Sequence, residues 1–369
     1  MLTSWARYVV PTLCFLGLAA LSSVRDQHND EFALQPRSSI SVGWADENAC
    51  ADCHFEQSEM FLQTGHAQTL RKIEDPKSQE LLKVFHDSVS EYDQSLKVDL
   101  SHQDVEVVSG SGADTRRLKL DWCFGSGTHA HTWVGTIPDA RGQRDLVEFR
   151  WTWYHQADAF GITPGQSVEK SGGYFGALGT LFDAPKARRC FACHSTVLPE
   201  TESYVNYNAI HPGVTCQRCH GPRQAHVESE GEIQEGFWQT ANQMESIKRC
   251  GECHRIAEDQ DPKDIRPGNS EIVRFQPVGL VQSPCFLGSK DMTCLTCHDP
   301  HRPLNSQNPL GIWQCVQCHD PSSSAYRICS AGHRNDCLTC HMPKVKVFEN
   351  IKFTDHWIRI RNPSLQLDQ

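Results

Sequence analysis

Cysteine and histidine recur together in this chain at one fixed spacing. Fourteen of its 18 cysteines lie in the pattern Cys-x-x-Cys-His, which occurs seven times in 369 residues. The copies, numbered here as sites 1 to 7 in chain order, are Cys50/Cys53/His54, Cys190/Cys193/His194, Cys216/Cys219/His220, Cys250/Cys253/His254, Cys294/Cys297/His298, Cys315/Cys318/His319 and Cys337/Cys340/His341. The chain is too long for a small disulfide scaffold, so something else must occupy these thiols.

The spacing has a chemical explanation. Two cysteines three positions apart lie on one face of a helical turn, where each thiol can add to one vinyl group of a haem, and the following histidine reaches the iron as proximal ligand. Structural zinc is the rival interpretation, but zinc knuckles give no reason for a histidine after every second cysteine. The sequence therefore predicts seven covalently attached haem c groups.

The histidines outside the motifs outnumber the predicted irons, so each iron can take a second, distal histidine. The candidates are His66, His226, His301, His333 and His356, with His129 and His131 left open and His86, His102, His155 and His211 in reserve. For each of them the alternative is a surface or hydrogen-bonded core histidine. The chain has only five methionines, so we expect methionine ligation to be uncommon and the haem potentials to be low.

Four cysteines lie outside the motifs. Cys14 falls in the N-terminal leader, and we expect Cys123 to be a packed thiol. Cys285 and Cys329 flank haem motifs, and two interpretations stay open for them: a disulfide or two buried thiols.

The N-terminus has the composition of a secretory leader. In residues 1–22, Arg7 is the only charge and an apolar run over 8–21 is short for a membrane span, although an uncleaved anchor is the alternative. Residues 23–48 are polar and are predicted to be a linker. Thioether attachment of haem takes place outside the cytoplasm, so we expect a periplasmic or other extracytoplasmic location.

Charge and hydropathy exclude several classes of protein. The net charge of -10 argues against a nucleic-acid binder and favours redox partners with positively charged docking surfaces. The mean hydropathy of -0.49 excludes a polytopic membrane protein. Any membrane association is therefore expected through the N-terminus.

The sequence predicts two kinds of structure. Helices are expected over 55–73 and 78–89 in a first haem segment, 49–93, and alternating apolar residues with glycine turns predict a haemless antiparallel β lobe over 94–157. Six sites crowd into 158–369, which leaves no room for a conventional core. We therefore expect a mainly α fold with irregular loops and with haems as the core, plus this small β lobe between sites 1 and 2.

Two groups of side chains have alternative interpretations. The aromatic face of Phe149, Trp151 and Trp153 packs on the haem cluster or forms a docking surface for a larger assembly. A second group, basic residues near the motifs, either pairs with haem propionates or lines a solvated helix face. Its members are Arg188, Arg189, Arg218, Lys248 and Arg249.

Several runs around the motifs resemble one superfamily. They are Val-Gly at 42–43, Ala-Cys-Ala-Asp-Cys-His at 49–54, Thr-Gly-His-Ala at 64–67, Gly-Ser-Gly-Thr-His-Ala at 125–130, Gly-Val-Thr-Cys-Gln-Arg-Cys-His-Gly-Pro at 213–222, Leu-Thr-Cys-His-Asp-Pro-His at 295–301 and Asp-Cys-Leu-Thr-Cys-His-Met-Pro at 336–343. The chain resembles the multihaem cytochrome c group, which includes the tetrahaem carrier serving hydroxylamine oxidoreductase and the octahaem and pentahaem nitrogen-cycle enzymes. This resemblance spans about residues 42–357.

The resemblance implies closely stacked haems with mostly bis-histidine irons. His66, His226, His301 and His356 match positions that carry distal ligands in the group, and His129 matches a recurrent position of unassigned role. All seven motifs end in histidine, unlike the Cys-x-x-Cys-Lys site of the ammonia-forming nitrite reductases. No tyrosine, Tyr326 included, matches the crosslinked tyrosine of hydroxylamine oxidoreductase.

Two functions remain open at this stage. The first is an exported electron-transfer protein that passes electrons along closely spaced haems between redox partners. The alternative is a multihaem oxidoreductase in which one five-coordinate haem acts on a small nitrogen or sulfur compound such as hydroxylamine or nitrite. Binding of carbon monoxide to the reduced protein discriminates between them.

Overall fold

The structure is a computed structural model, and the residues it describes are 43–100, 105–138, 144–167, 169, 174–198, 200–201, 204–234, 236–304, 312–320, 322, 337–348 and 351–360. The leader, the greater part of the linker, His102, His333, Cys14 and Cys329 lie outside these residues. All seven Cys-x-x-Cys-His sites lie within them.

The N-terminal half combines short helices with most of the strands. In chain order it contains α1 (Asn48–Cys53), α2 (Phe55–Phe61), β1 (Leu70–Lys72), α3 (Pro76–Tyr92), β2 (Leu96–Asp99), β3 (Val105–Ser109), β4 (Arg116–Leu120), β5 (Trp122–Phe124), β6 (Ala130–Pro138), β7 (Arg144–Tyr154), β8 (Ala159–Ile162), β9 (Gly179–Phe182), α4 (Ala184–His194), β10 (Ser195–Val197), β11 (Glu200–Thr201), β12 (Tyr204–Val205) and β13 (His211–Pro212).

The C-terminal half consists of short helices and loops, with one hairpin near its end. It contains α5 (Cys216–His220), α6 (Gln224–Glu228), α7 (Phe237–Thr240), α8 (Gln243–His254), α9 (Ser270–Val273), α10 (Gln276–Val281), α11 (Pro284–Leu287), α12 (Ile312–Val316), α13 (Cys337–His341), β14 (Lys344–Phe348) and β15 (Ile351–Thr354). Single 3-10 turns occur at Gly112–Asp114, Tyr207–Ala209, Ala257–Asp259 and Cys294–Thr296.

The β lobe contains two antiparallel sheets. Strands β2, β3 and β4 form the smaller sheet, and the larger has the order β1-β5-β6-β7-β8 with β9 also paired to β7. Side chains alternate across a strand, so each face of the larger sheet can bury its own apolar set. Phe149 on one face packs with Phe85 of α3, and Leu146 on the other packs with Phe191 of α4. The larger sheet therefore lies between two helices.

The predicted β lobe is confirmed in kind and is larger than expected. Its sheet begins at Leu70 and ends at Phe182, beyond both predicted boundaries. The prediction of a mainly α fold was correspondingly wrong about the amount of sheet. The predicted helix over 78–89 is present as α3, but the one over 55–73 ends at Phe61, where Thr64 donates its hydroxyl to the Phe61 carbonyl at 2.7 Å. Leu70 then pairs with Phe124 as a strand.

The aromatic face of β7 is buried inside the lobe. Phe149 has no exposed surface, and Trp151 and Trp153 pack against the same cluster. The cluster also contains Cys123, which is fully buried as expected of a packed thiol. Phe149 therefore packs inside the lobe, whereas docking or packing on haems by the partly buried Trp151 and Trp153 stays a prediction.

The half of the chain that carries sites 3 to 7 has little apolar core of its own. Its described cluster of buried residues consists of Ile247, Leu280 and Phe286. Among the described residues, no helix is both long and apolar enough to cross a membrane.

Candidate haem sites

Each Cys-x-x-Cys-His site forms a tight helical turn. Sites 2 and 4 end α4 and α8, and sites 3 and 7 are α5 and α13. In sites 1, 5 and 6 the histidine N–H donates to the carbonyl of the first cysteine at 2.8 to 2.9 Å. An i to i+4 bond of this kind brings both thiols and the imidazole to one side of the turn.

Caps fix the start of the two longer site helices. The Asp183 carboxylate accepts from the Lys186 N–H at 3.0 Å at the start of α4. At the start of α8, Asn242 and Glu245 form a reciprocal capping box. Both helices therefore begin at a defined residue and present their sites at the C-terminal end.

Four proximal histidines face a second imidazole. The ring centroids are 6.3 Å apart for His54 and His226, 6.1 Å for His254 and His66, 6.0 Å for His220 and His301, and 6.2 Å for His298 and His356. Two imidazoles bonded to opposite sides of one iron, each at about 2 Å, have centroids about 6 Å apart. The four gaps therefore fit one iron each.

Several of these rings donate a hydrogen bond from Nδ1, which fixes the orientation of the ring. Nδ1 of His226 donates to the Ile233 carbonyl at 2.8 Å, and Nδ1 of His356 donates to the Thr354 carbonyl at 2.9 Å. Metal-bound histidines ordinarily make this outer bond, because it fixes the tautomer and leaves Nε2 free for the metal. The same pattern occurs at His194 with Thr69 (3.1 Å), His254 with Gln276 (3.1 Å), His301 with Asp299 (3.2 Å) and His341 with Arg359 (3.0 Å).

Five of the paired rings are kept neutral by their surroundings. Burial, with the charges of neighbouring histidines, lowers the pKa of His66, of His220 and of His356 to about 4. Burial also lowers the pKa of His254 and of His298. Only the neutral imidazole has a lone pair for a metal, so these rings are in the ligating form at neutral pH.

Other candidate histidines lie in different surroundings. His129 packs against Phe353 with ring centroids 5.1 Å apart, and its buried Nδ1 has no hydrogen-bond partner among the described residues. His131 forms a buried hydrogen-bonded chain with Arg71 and His155, at 2.7 Å on each side. This hydrogen-bonded core histidine matches the alternative interpretation for His131, and His333 lies outside the described residues.

Site 2 differs from the four paired sites. The ring of His194 lies against Phe124, with centroids 5.0 Å apart, and Thr69 contacts its Nδ1 through both the hydroxyl and the carbonyl oxygen. Within the part of the chain that the structure describes, no second imidazole faces His194 at the spacing of the four pairs.

Site 6 begins on the short helix α12 and site 7 forms α13; these helices are five residues each and pack on one another. His319 of site 6 is exposed, and so are the second thiols of both sites, Cys318 and Cys340, as Cys53 and His54 are at site 1. Among the residues that the structure describes, neither His319 nor His341 faces a second imidazole at the spacing of the four pairs. Haem binding by Cys340 and by His319 therefore stays a prediction from the motif alone.

Contacts between thiols of different motifs show which sites are neighbours. Cys50 hydrogen-bonds to Cys216, which lowers the pKa of Cys50 to about 7. The other thiol pairs that hydrogen-bond in this way are Cys193 with Cys253, Cys250 with Cys294, and Cys315 with Cys337. Site 1 therefore adjoins site 3, site 4 adjoins sites 2 and 5, and site 6 adjoins site 7.

One further contact and one electrostatic interaction complete the order. Nη2 of Arg218, inside the motif of site 3, donates to Sγ of Cys253 in site 4 at 3.8 Å. Burial raises the pKa of Cys297, and the charges of Cys285 and of Cys318 raise it as well, which indicates that site 5 lies near site 6. The described thiols thus connect the sites in the order 1-3-4-5-6-7, with site 2 attached to site 4. Cys285 lies at the contact between sites 5 and 6, and its predicted disulfide partner is outside the described residues.

A buried ion cluster joins sites 3 and 4. Arg218 Nη1 lies 2.7 Å from Glu252 Oε2, and Arg249 Nη1 lies 2.9 Å from Glu252 Oε1. The Arg218 side chain is only 7% exposed. Of the basic residues considered for propionate binding, Arg218 thus pairs with a carboxylate of the neighbouring motif, and Arg249 pairs with the same carboxylate in the motif that it directly precedes. The sequence contains a signal for the pairing of Arg218 with Glu252, because the variable positions of motifs 3 and 4 carry opposite charges.

The surfaces beside the motifs fit flat apolar groups. Phe55 directly follows site 1 and is 65% exposed, Trp313 precedes site 6 and is 69% exposed, and Leu295 within site 5 is 44% exposed. A porphyrin bound through the adjacent thiols would cover such side chains. The residues present therefore fit covalently bound haem.

Sequence comparison points to the same class of cofactor. The family described as cytochrome c554 and c-prime matches residues 49–109 and 153–221, which include sites 1, 2 and 3. No curated protein sequence matches the chain. A solved structure, "Crystal Structure of Outer Cell Wall Cytochrome OcwA", is similar at 16% sequence identity with a TM-score of 0.35, over 58% of this chain and 37% of that chain. This chain thus spans about a third of the length of the structure that it matches.

The family match and the motifs support a multihaem c-type cytochrome. Covalent haem c and electron transfer follow at that general level. Sequence reasoning missed two residues that support the sites, one outside the motifs and one at a variable position of motif 3. Thr69 on the strand side of His194 is one, and Gln217, which exchanges two 2.9 Å hydrogen bonds with the backbone of Ala45, is another. No sequence signal marks either residue.

Proposed function

We propose that this chain is an exported electron-transfer protein that binds seven haem c groups and conducts electrons along sites 1-3-4-5-6-7, with site 2 as a side branch. The observation that carries the proposal is the set of four histidine pairs at iron-spanning distance, together with the thiol contacts that join four pairs of neighbouring sites. An iron porphyrin, when bound, supplies a one-electron couple at each site.

The side chains of the chain have three tasks in this proposal. Paired imidazoles close both axial positions, which favours electron transfer over binding of small molecules. The motif cysteines hold neighbouring groups close together, because thiols of sites 1 and 3, 2 and 4, 4 and 5, and 6 and 7 are in contact. The acceptors at Nδ1 orient the imidazoles before the iron arrives, which reduces reorganisation during electron transfer.

The distal assignments belong to the same proposal. His226 serves site 1, His301 serves site 3, His66 serves site 4 and His356 serves site 5. We further propose that residues 1–22 export the chain and that its net charge of -10 favours a positively charged redox partner.

The test removes one distal ligand. In the purified protein, pyridine haemochrome analysis is expected to give seven haems per chain, and electron paramagnetic resonance is expected to show mainly low-spin iron. His226→Ala is expected to convert about one-seventh of the low-spin signal to high-spin iron that binds carbon monoxide. His86→Ala is the control, because His86 is half-exposed and bonds to Asp87. A colourless protein, or an unchanged His226→Ala spectrum, would contradict the proposal.

A second function is favoured by the surroundings of site 2. His194 lies against Phe124, and site 2 ends a branch of the connected series. An iron there with an open position would suit an oxidoreductase acting on a small nitrogen or sulfur compound. Carbon monoxide binding by the unmodified reduced protein, lost in a Cys190→Ala/Cys193→Ala variant, would establish such a centre. Without this binding, electron transfer alone remains.

A further inference from the structure

A carboxylate lies on the apolar face between the larger sheet and α4. Successive side chains of strand β7 point to opposite faces of the sheet, so Glu148 lies on the same face as Leu146. Val134, the partner of Glu148 in the β6 register, is buried with Leu146 against Ala187 and Phe191 of α4. Glu148 is thus the acidic member of an otherwise apolar contact.

Glu148 faces the part of α4 that carries site 2. Cys190 follows Ala187 by three positions on α4, which is almost one turn. The pKa of the Cys190 thiol is raised to about 11. Burial is the largest cause, and the negative charge of Glu148 is the second. A charge at Glu148 is therefore felt at the point where the haem of site 2 would be attached.

One neutral donor stabilises this carboxylate. Gln166 Nε2 donates to Glu148 Oε2 at 3.1 Å and also to the Glu148 backbone carbonyl at 3.1 Å. Burial raises the pKa of Glu148, and this side-chain hydrogen bond lowers it in part.

The charged and titratable groups on the surrounding elements are few. Arg150 lies two positions along β7, and Arg188, Arg189 and Cys190 lie on α4. On β6, His131 pairs with Trp153, well away from the Glu148 register position. Strand β9, Gly179–Phe182, has no titratable side chain.

We propose that Glu148 is a proton-binding site coupled to the reduction of site 2. An electron that reaches site 2 adds negative charge beside a carboxylate in a low-dielectric region, and uptake of one proton removes that repulsion. In the balanced step, one electron enters from site 4 and one proton enters from solvent. With haem bound at site 2, reduction of its iron from ferric to ferrous would be accompanied by protonation of the Glu148 carboxylate, and reoxidation would release the electron and the proton. The inference rests on haem attachment at Cys190 and Cys193.

The test is a spectroelectrochemical titration of the haem-loaded protein at a series of pH values. One of its redox components is expected to shift by about 59 mV for each tenfold change in proton concentration, the value for one proton per electron. Glu148→Gln is expected to remove this shift and to lower proton uptake on full electrochemical reduction by one proton per chain. Glu106→Gln is the matched control, because Glu106 lies on the smaller sheet in a partly exposed pair with Arg117.

A second variant covers the case in which Glu148→Gln does not fold. Gln166→Leu removes the donor and is expected to extend the pH-dependent range to higher pH, because the carboxylate loses its stabilising bond. A folded Glu148→Gln protein with seven haems and an undiminished pH-dependent shift would overturn the inference alone. Absence of haem at Cys190 and Cys193, found by mass spectrometry of peptides, would overturn the inference together with the proposed function at site 2.

Discussion

Arg218, Glu252 and Arg249 form a direct polar connection between two haem sites. Each arginine takes one oxygen of the same carboxylate, so that Glu252 has two cationic partners whereas each arginine has one from this cluster. Removing a partner from a buried ion pair costs more than the pair itself contributes, because an uncompensated charge is left behind. The two single substitutions at the contact between sites 3 and 4 are therefore not equivalent.

We expect Glu252→Gln to destabilise the protein more than Arg218→Met. Glu252→Gln leaves Arg218 buried without this counter-charge and is expected to lower the free energy of unfolding by roughly 3 kcal/mol. Arg218→Met leaves Glu252 paired with Arg249 and is expected to cost about half as much. Guanidinium unfolding followed by far-ultraviolet circular dichroism measures both.

The exposed pair of Arg117 and Glu106 is the control for this comparison. Its atoms are 2.8 Å apart, almost the same distance as in the buried pair, but its side chains are 56% and 36% exposed. Arg117→Met is expected to change the unfolding free energy by less than about 1 kcal/mol. Equal effects of Glu252→Gln and Arg218→Met would contradict the asymmetry.

At this scale the sequence predicts the motif residues and not their partners. The Cys-x-x-Cys-His spacing is local in the sequence and by itself indicates covalent attachment of haem. By contrast, His66 faces His254, and His226 faces His54, across long stretches of chain. No local pattern encodes these pairings, because the tertiary fold brings the rings together.

Among the elements, α4 connects the β lobe to the haem sites. Phe191 of α4 has no exposed surface, and its ring centroid lies 5.5 Å from Trp122, 5.0 Å from Phe124 and 5.2 Å from Tyr207. Phe124 in turn contacts His194. The lobe therefore acts as the platform on which site 2 is held.

We expect Phe191→Ala to disturb site 2 while leaving the other sites in place. Loss of a fully buried phenylalanine leaves a cavity and costs about 3 to 5 kcal/mol. The electron paramagnetic resonance signal of one haem is expected to broaden as His194 loses its support, with the remaining signals unchanged. Leu181→Ala on β9 is the control, because Leu181 is 49% exposed. Uniform broadening of all signals would argue against a local role for the platform.

The alternation of apolar residues predicted β4 and β7 and missed β1, β8 and β9 of the larger sheet. Strands β4 and β7 have long alternating runs, whereas β1 has three residues directly after a segment with helical periodicity. Such a short strand exists because β5 pairs with it. Strands β8 and β9 are four residues each and are likewise specified by pairing to β7.

The whole molecule combines two means of stability. The lobe buries two large apolar clusters that involve Trp133, Phe149 and Phe191, whereas the segment with sites 3 to 7 buries a cluster of three described residues. A folded segment with so little apolar burial needs another apolar component, which the bound macrocycles supply in our proposal.

Preventing haem attachment is therefore expected to affect the two parts differently. In protein produced without haem insertion, hydrogen exchange measured by mass spectrometry is expected to show protection across 105–138 and 144–162, and near-complete exchange across 216–304. Protein with haem is expected to protect both regions. Equal protection of residues 216–304 with and without haem would show that the polypeptide alone stabilises them.

The thiol contact of site 2 with site 4 has a consequence for current in our proposal. A haem at the end of a side branch would not lie on the path between the two ends of the series, so its loss would leave transport from end to end intact. Its occupancy would instead follow the potential of site 4, so that it would store charge like a small capacitor. Bursts from a donor would be buffered there for as long as the acceptor is busy.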